Sequence, residues 1–215
     1  MNTFHPACAL RSVLFALLVT SVPAVASAAS AQEALAASLS ETNTEIVRTG
    51  NKLQETIQTL NELTAQTTGD LRPTYQRFST AVTETQELAK TTAARAATLT
   101  DNMTTYFVRW QNELGGISSP GVKSAAEKRL TTVQRSYSAL AADMAKVAEK
   151  FRPLLGDMND IKVALDLDLT AGGVKSIKGV ANKATKKMAS LHEDVTALLG
   201  KISDTRKLLG SSAEY

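Results

Sequence analysis

One repeating stripe constrains this chain more than any other feature. From Leu71 to Leu114, uncharged residues recur at steps of four and three: Leu71, Tyr75, Phe78, Val82, Thr85, Ala89, Thr92, Ala96, Leu99, Met103, Tyr106, Trp110 and Leu114. A strand repeats every two residues, whereas steps of three and four keep side chains on one face of a helix. At 1.5 Å per residue such a helix reaches about 65 Å, well beyond the usual three turns. A helix this long is held in water by laying its apolar face along other helices. The stripe is bulky at both ends and small from Thr85 to Ala96, which predicts close helix packing at its middle.

Three further segments supply matching faces. The first runs from Gln32 to about Thr67, where Leu39, Ile46, Leu53 and Leu60 are spaced by sevens in the register of a coiled-coil seam. Asn43, Gly50 and Thr64 interrupt its stripe. The third segment, from Pro120 towards Leu169, keeps its phase past Pro153 and Gly156, which predicts a kink there rather than an end. The fourth takes Val174, Ile177, Ala181, Ala184, Met188, Leu191, Val195, Leu198, Ile202 and Leu209.

Breaks fall where glycine, proline and capping residues cluster. Gly115-Gly116 followed by Ser119-Pro120 ends one helix and starts the next. Leu169 to Gly173 reads as a turn, and Gly210-Ser211-Ser212 ends the last helix. Gly69, Asp70 and Pro73 signal a turn over 67–73, although the stripe continues in phase through that stretch and a single kinked helix is the competing reading. The expected fold is all-α: an elongated antiparallel bundle of three to four long helices, coiled-coil-like, forming a single domain over 29–215.

The amino terminus reads differently. A polar lead with His5 and Arg11 precedes the apolar run Val13 to Val19, then Pro23 and the small residues Ala26-Ser27-Ala28. That order is the signal-peptide pattern, with cleavage expected after Ala28 and a second cut available after Ala31. The run is too short for a membrane anchor. Residues 1–28 are therefore read as a cleaved signal peptide and the mature protein as periplasmic or otherwise exported.

Several chemistries lack their residues. Cys8 is the only cysteine and lies in the lead, so disulfides, thiolate catalysis and cysteine zinc sites are all excluded from the mature chain. A net charge of +3 is too mild to demand nucleic acid. His192 is the sole histidine beyond the lead, no Glu-x-x-His pair exists for a carboxylate metal site, and no glycine loop is followed by the lysine that cradles phosphate. His192-Glu193-Asp194 reads as a polar helix face. No catalytic residue, cofactor or metal ligand is assigned, and the chain reads as a non-enzyme.

Two surfaces are candidate contacts. Lys175, Lys178, Lys183, Lys186 and Lys187 share the fourth helix with no acid between Asp168 and Glu193, while the first helix carries Glu33, Glu41, Glu45, Glu55 and Glu62. These charges read either as complementary flanks of neighbouring first and fourth helices or as a face for anionic lipid. Tyr106, Phe107 and Trp110 read either as a plug at the bundle end or as an exposed aromatic tip for a partner or a membrane.

Local stretches also carry a likeness. The segment from Tyr106 through Phe107-Val108-Arg109-Trp110-Gln111-Asn112-Glu113 to Leu114, with Ser119-Pro120, is one. Arg135-Ser136-Tyr137, Met144, Arg152-Pro153-Leu154-Leu155, Asp157-Met158 through Ile161 and Leu165, and Ser176-Ile177-Lys178-Gly179 are the others. Together they resemble an uncharacterised bacterial family of exported, predominantly helical proteins, catalogued as a domain of unknown function. The likeness spans about Leu35 to Leu209 and implies a helical fold and an envelope location. It implies no activity and no catalytic residue. The expected role is a non-enzymatic helical interaction or structural protein of the cell envelope, with a protein partner or self-association. The alternative is a bundle that binds a membrane surface or anionic lipid through its lysine-rich helix.

Overall fold

Four helices follow one another in the computed structural model: α1 (Ala28–Ala65), α2 (Arg72–Leu114), α3 (Pro120–Leu167) and α4 (Ala171–Gly210). The structure describes residues 28–66 and 68–210, and no strand occurs among them. The expected signal peptide lies outside the described residues, apart from Ala28, as do Ser211 and Ser212.

The stretch around Gly69 is a turn, and one kinked helix is thereby ruled out. Gly69 sits at φ +88°, the left-handed region that glycine enters without a Cβ penalty. The Gln66 amide donates to the carbonyls of Thr68 and Asp70 at 3.3 and 3.0 Å. The Asp70 carboxylate accepts the Arg72 N–H at 3.0 Å, satisfying one of the orphan donors that open α2. Unbroken phase through the turn arises because both flanking helices bury the same edge of the core.

Two other boundaries differ from expectation. Gly172 and Gly173 belong to α4 rather than to the preceding turn. Thr170 caps the helix: its hydroxyl accepts the Gly173 N–H at 3.1 Å and donates to Asp168 at 2.7 Å. A side chain at Gly173 would collide with the Asp168 carbonyl, so the glycine allows the close chain crossing. Ser119 occupies the N-cap position of α3 in an extended conformation but makes no capping side-chain bond. That helix runs on through Pro153, whose ring is exposed, so the missing backbone bond falls on the solvent side.

The helices form a ring. α1 packs on α2 and α4, and α3 packs on the same two, with no close backbone approach across either diagonal among the described residues. Ion pairs Arg95–Glu41, Lys52–Glu84 and Arg77–Glu62 show α1 and α2 running antiparallel, because one number rises as the other falls. Lys201–Asp143 and Lys187–Asp157 show the same for α3 and α4.

Two apolar clusters make the core. One gathers Leu60, Leu63, Phe78, Val82, Met158, Ile161, Leu165 and Ile177 towards the Gly69 end. The other gathers Leu35, Leu39, Leu99, Met103, Leu140 and Ile202 towards the opposite end. Between them α1 and α2 meet through threonines. The hydroxyls of Thr56 and Thr85 lie 2.9 Å apart, and those of Thr49 and Thr92 lie 2.8 Å apart. The small middle of the α2 stripe does bring α1 close. On its other side it does something not expected from the sequence.

Candidate functional site: a mid-bundle cavity

Small side chains on α2 leave the space between the two core clusters unfilled. Ala89, Thr92, Ala93 and Ala96 line one wall, and Gly50, with no side chain, lines another beside Ile46 and Leu53. α3 contributes Met144, Val147, Ala148, Phe151 and Leu155, and α4 contributes Met188, Leu191, Val195 and Leu198. All four helices thus wall one apolar cavity of about 580 Å³. This lies within the 300–1,000 Å³ range of small-molecule sites. Expected close packing of the alanine-rich stretch is therefore corrected: it is close against α1 and open towards α3 and α4.

The size decides what sort of space this is. Sealed and dry, an apolar void of this volume would cost on the order of 10 kcal/mol, comparable with the whole stability of a domain. Open access avoids that penalty. The α2–α3 seam is fastened at one end by Tyr75, whose hydroxyl donates to the Asp166 carboxylate with the Lys162 carbonyl 3.2 Å away as the alternative acceptor. Next comes a bond from the Gln86 amide to Asn159 at 3.2 Å. At the far end the Phe107 and Tyr137 rings meet with centroids 6.0 Å apart. Between these fastenings Lys90, Ala93, Ala148 and Arg152 are exposed while still lining the cavity. The mouth lies along this seam.

The seam's own groups are electrostatically settled. Burial, then the neighbouring Asp166 carboxylate, pushes the Tyr75 hydroxyl up to about 12. The bond from Tyr75, followed by Lys162, holds Asp166 below the usual carboxylate range. On the α3–α4 side, hydrogen bonds from Lys146 and Lys150 hold Asp194 low as well. Closed pairs of this kind fasten helices together.

The polar part of the lining is sparse and one-signed. Lys90, Arg152 and His192 are its only ionisable residues, and no carboxylate lines it. Lys90 is paired with Glu87 at 2.7 Å, outside the lining. Arg152 has no ion pair among the described residues. His192 stands two turns beyond Thr185, whose hydroxyl bonds Asn61 of α1, and so lies on the α1 flank of α4. No cluster of three or more metal-ligating side chains occurs among the described residues. Thr42 Oγ1 and Glu45 Oε2 are buried without partners, but neither lines the cavity.

The residues singled out from sequence fall elsewhere. Lys175, Lys178, Lys183, Lys186 and Lys187 are all exposed on α4. Lys187 pairs with Asp157 of α3, and the other four face no carboxylate within ion-pair distance among the described residues. Of the acids of α1, Glu55 pairs with Lys52 of the same helix, and Glu41 and Glu62 pair with Arg95 and Arg77 of α2. Complementary flanks between α1 and α4 are therefore not formed, although those helices are neighbours. Tyr106 is buried, and Phe107 and Trp110 are half-buried against the second core cluster. The Tyr106 and Trp110 rings meet edge to face, 5.5 Å between centroids. These aromatics close the core near the α2–α3 turn and do not reach the cavity.

Arg152, Lys90 and the cavity wall were missed from sequence. The available signal was the coincidence of Gly50, Ala89, Ala93, Ala96 and Ala148 at one level of the bundle. Only the antiparallel ring places them at one level.

With this geometry in place, a family model described as "Protein of unknown function (DUF2959)" matches residues 25–206. The chain belongs to that family. The match takes in all of α1, α2 and α3, and α4 almost to its end, so the cavity lies wholly inside the DUF2959 region. No curated protein sequence and no solved structure matches this DUF2959 member.

Proposed function

We propose that this chain is a non-enzymatic helical interaction protein of the bacterial cell envelope, exported by its amino-terminal segment, which works by what its bundle holds. The cavity carries this reading. Native interiors are close-packed with few voids larger than a water, and an apolar space walled by all four helices is the kind of concave site that takes a small molecule. The lining offers apolar contact and a cationic rim, with no paired acid and base to move a proton. Binding of the neutral apolar dye N-phenyl-1-naphthylamine tests it: saturable fluorescence in the wild type and its loss in Ala89→Phe are expected. Absence of saturable binding in a folded wild type sinks the reading.

A second reading is favoured by Lys175, Lys178, Lys183 and Lys186. Four exposed cations with no ion pair among the described residues suit an anionic membrane surface, each adding on the order of 1 kcal/mol at such a surface. No helix among the described residues is long and apolar enough to cross a membrane, so contact of this kind would be peripheral. Co-sedimentation with phosphatidylglycerol vesicles, compared with phosphatidylcholine, tests it. Equal retention of the wild type and a variant with all four lysines changed to glutamine would end this reading.

A further inference from the structure

We propose that the cavity is a site for a single-chain anionic amphiphile, its alkyl tail in the mid-bundle slot and its acidic head at Arg152. The inference rests on the binding role proposed above and adds the chemical class of the ligand.

Shape comes first. The lining runs from Gln86 to Ala96 on α2, from Met144 to Leu155 on α3 and from Met188 to Leu198 on α4. At 1.5 Å per residue each wall extends about 15 Å along the bundle axis. The space is therefore a slot parallel to the helices, suited to an extended chain rather than a fused-ring body. A methylene takes up about as much room as a water, so at roughly 30 Å³ each the 580 Å³ hold a tail of a dozen or more carbons. Met144, Phe151, Met188, Leu191 and Val195 supply the apolar wall, and methionines adapt to a flexible tail.

Charge comes second. An uncharged hydrocarbon would leave Arg152 at the mouth with nothing to meet. Its guanidinium is exposed, unpaired among the described residues, and stands on the α2-facing flank of α3 across from Lys90. Arginine presents a planar fork that matches carboxylate and phosphate oxygens two at a time. With no carboxylate in the lining, an anionic head at this mouth meets attraction from Lys90 and Arg152 and repulsion from none of the walls. A cationic head would meet the reverse.

Gly50 supplies an independent handle. A Cβ built there meets nothing within 4 Å, so a larger side chain at Gly50 starts in open space at the slot, and Ala89 lines the same slot from α2. Blocking variants of this kind should fold.

The experiment is displacement of N-phenyl-1-naphthylamine by laurate, 1-dodecanol, dodecyltrimethylammonium and lauroyl-lysophosphatidate, each below its micelle concentration. Wild-type protein is expected to bind laurate or the lysophosphatidate at least tenfold more tightly than dodecanol, and the cation most weakly. The stronger of the two anions identifies the head as carboxylate or phosphate. Arg152→Gln is expected to bring the anions to within about twofold of dodecanol while dodecanol itself is unchanged. Ala89→Phe and Gly50→Leu, with thermal melts at least as high as the wild type, are expected to lose all four. Equal affinity for anion, alcohol and cation in the wild type overturns the anionic head while leaving the binding role intact. Unchanged anion binding in Arg152→Gln overturns the assignment of that residue. Failure of the dye to bind at all overturns both this inference and the role it rests on.

Discussion

Thr56 and Thr85 share a hydrogen bond of 2.9 Å at the centre of the α1–α2 interface, where neither residue is accessible to solvent. Each hydroxyl also reaches a carbonyl of its own helix: Thr56 donates to Lys52 at 2.8 Å and Thr85 to Ala81 at 2.7 Å. One hydroxyl proton serves one acceptor at a time, so each pair resolves into a chain of bonds that ends on a backbone carbonyl. The small β-branched side chains let the two helices approach closely while keeping both of these buried hydroxyls satisfied. Thr49 and Thr92 meet in the same way two turns further on at 2.8 Å, and there Thr92 also reaches the Glu45 carbonyl of α1 at 3.3 Å.

Removing both members of the Thr56–Thr85 pair should cost less than the two single removals added together. Thr85→Val keeps the shape and removes the partner, and about 1 kcal/mol of stability is expected to be lost. The double replacement Thr56→Val with Thr85→Val leaves no orphaned oxygen and should cost clearly less than the sum of the single changes. Urea unfolding across the four proteins of the cycle measures the coupling. Strict additivity would show that the bond contributes nothing to the interface.

Stability should fall on both sides of neutral pH for reasons traceable to one contact. The Tyr75 hydroxyl is raised from its ordinary 10 to about 12 by burial and by Asp166. Its contribution is complete below pH 10 and disappears as pH rises through about 12, because the unfolded chain ionises first. Asp166 and Asp194 are held low, so their contributions are present above the ordinary carboxylate value and disappear as pH falls through the depressed ones. Thermal melts from pH 3 to pH 12 should show both slopes. Tyr75→Phe should flatten the alkaline slope by on the order of 2 kcal/mol and soften the acid one. An unchanged alkaline slope in that variant would place the titration elsewhere.

Two glycines should respond in opposite directions to the same change. Gly50→Ala adds a methyl group into open space and relieves a flexible point in α1, so a gain of roughly 0.5–1 kcal/mol is expected. Gly173→Ala drives a methyl group into the Asp168 carbonyl, where backbone must move, and a loss of about 2 kcal/mol or more is expected. Denaturation midpoints of the two variants decide it. A stabilised Gly173→Ala would show that the α3–α4 crossing is looser than described.

Truncation should be costly in the core clusters and cheap at the cavity wall. Phe78 is wholly buried, and Phe78→Ala is expected to cost about 3–5 kcal/mol. Leu155 borders the slot and is only half-buried, so Leu155→Ala removes fewer contacts and should cost about 1 kcal/mol. Similar losses at the two sites in calorimetric melts would mean that the slot is closed in solution.

Much of the architecture was legible in the chain because helix packing is periodic. The stripe from Tyr75 to Leu114 marks the buried face of α2 at Phe78, Val82, Leu99 and Met103, all wholly inaccessible. Ends written in glycine and proline were read to within a few residues, and Thr170 shows why the errors arose. Its cap lets α4 start at Ala171 and take up a glycine pair that resembles a turn when seen alone. Charge was less legible. A run of lysines and a run of glutamates suggested partners, yet Glu41, Glu55 and Glu62 of α1 pair within α1 or with α2, and Lys187 with α3. Opposite signs on adjacent helices meet only when their flanks face one another, and that depends on rotation about each helix axis.

The sequence by itself determined that the described part of the chain would be long amphipathic helices laid side by side, since a 4-3 repeat can bury its apolar face in no other way. It also determined which residues would be central within each helix. Only the tertiary structure decided that the small middle of α2 closes on α1 but leaves a slot against α3 and α4. Whether alanine makes a tight contact or a cavity depends on what stands opposite. Gly50, Ala93, Ala96 and Ala148 come to one level only once four antiparallel helices are in register. Arg152 acquires its place at the mouth by the same register.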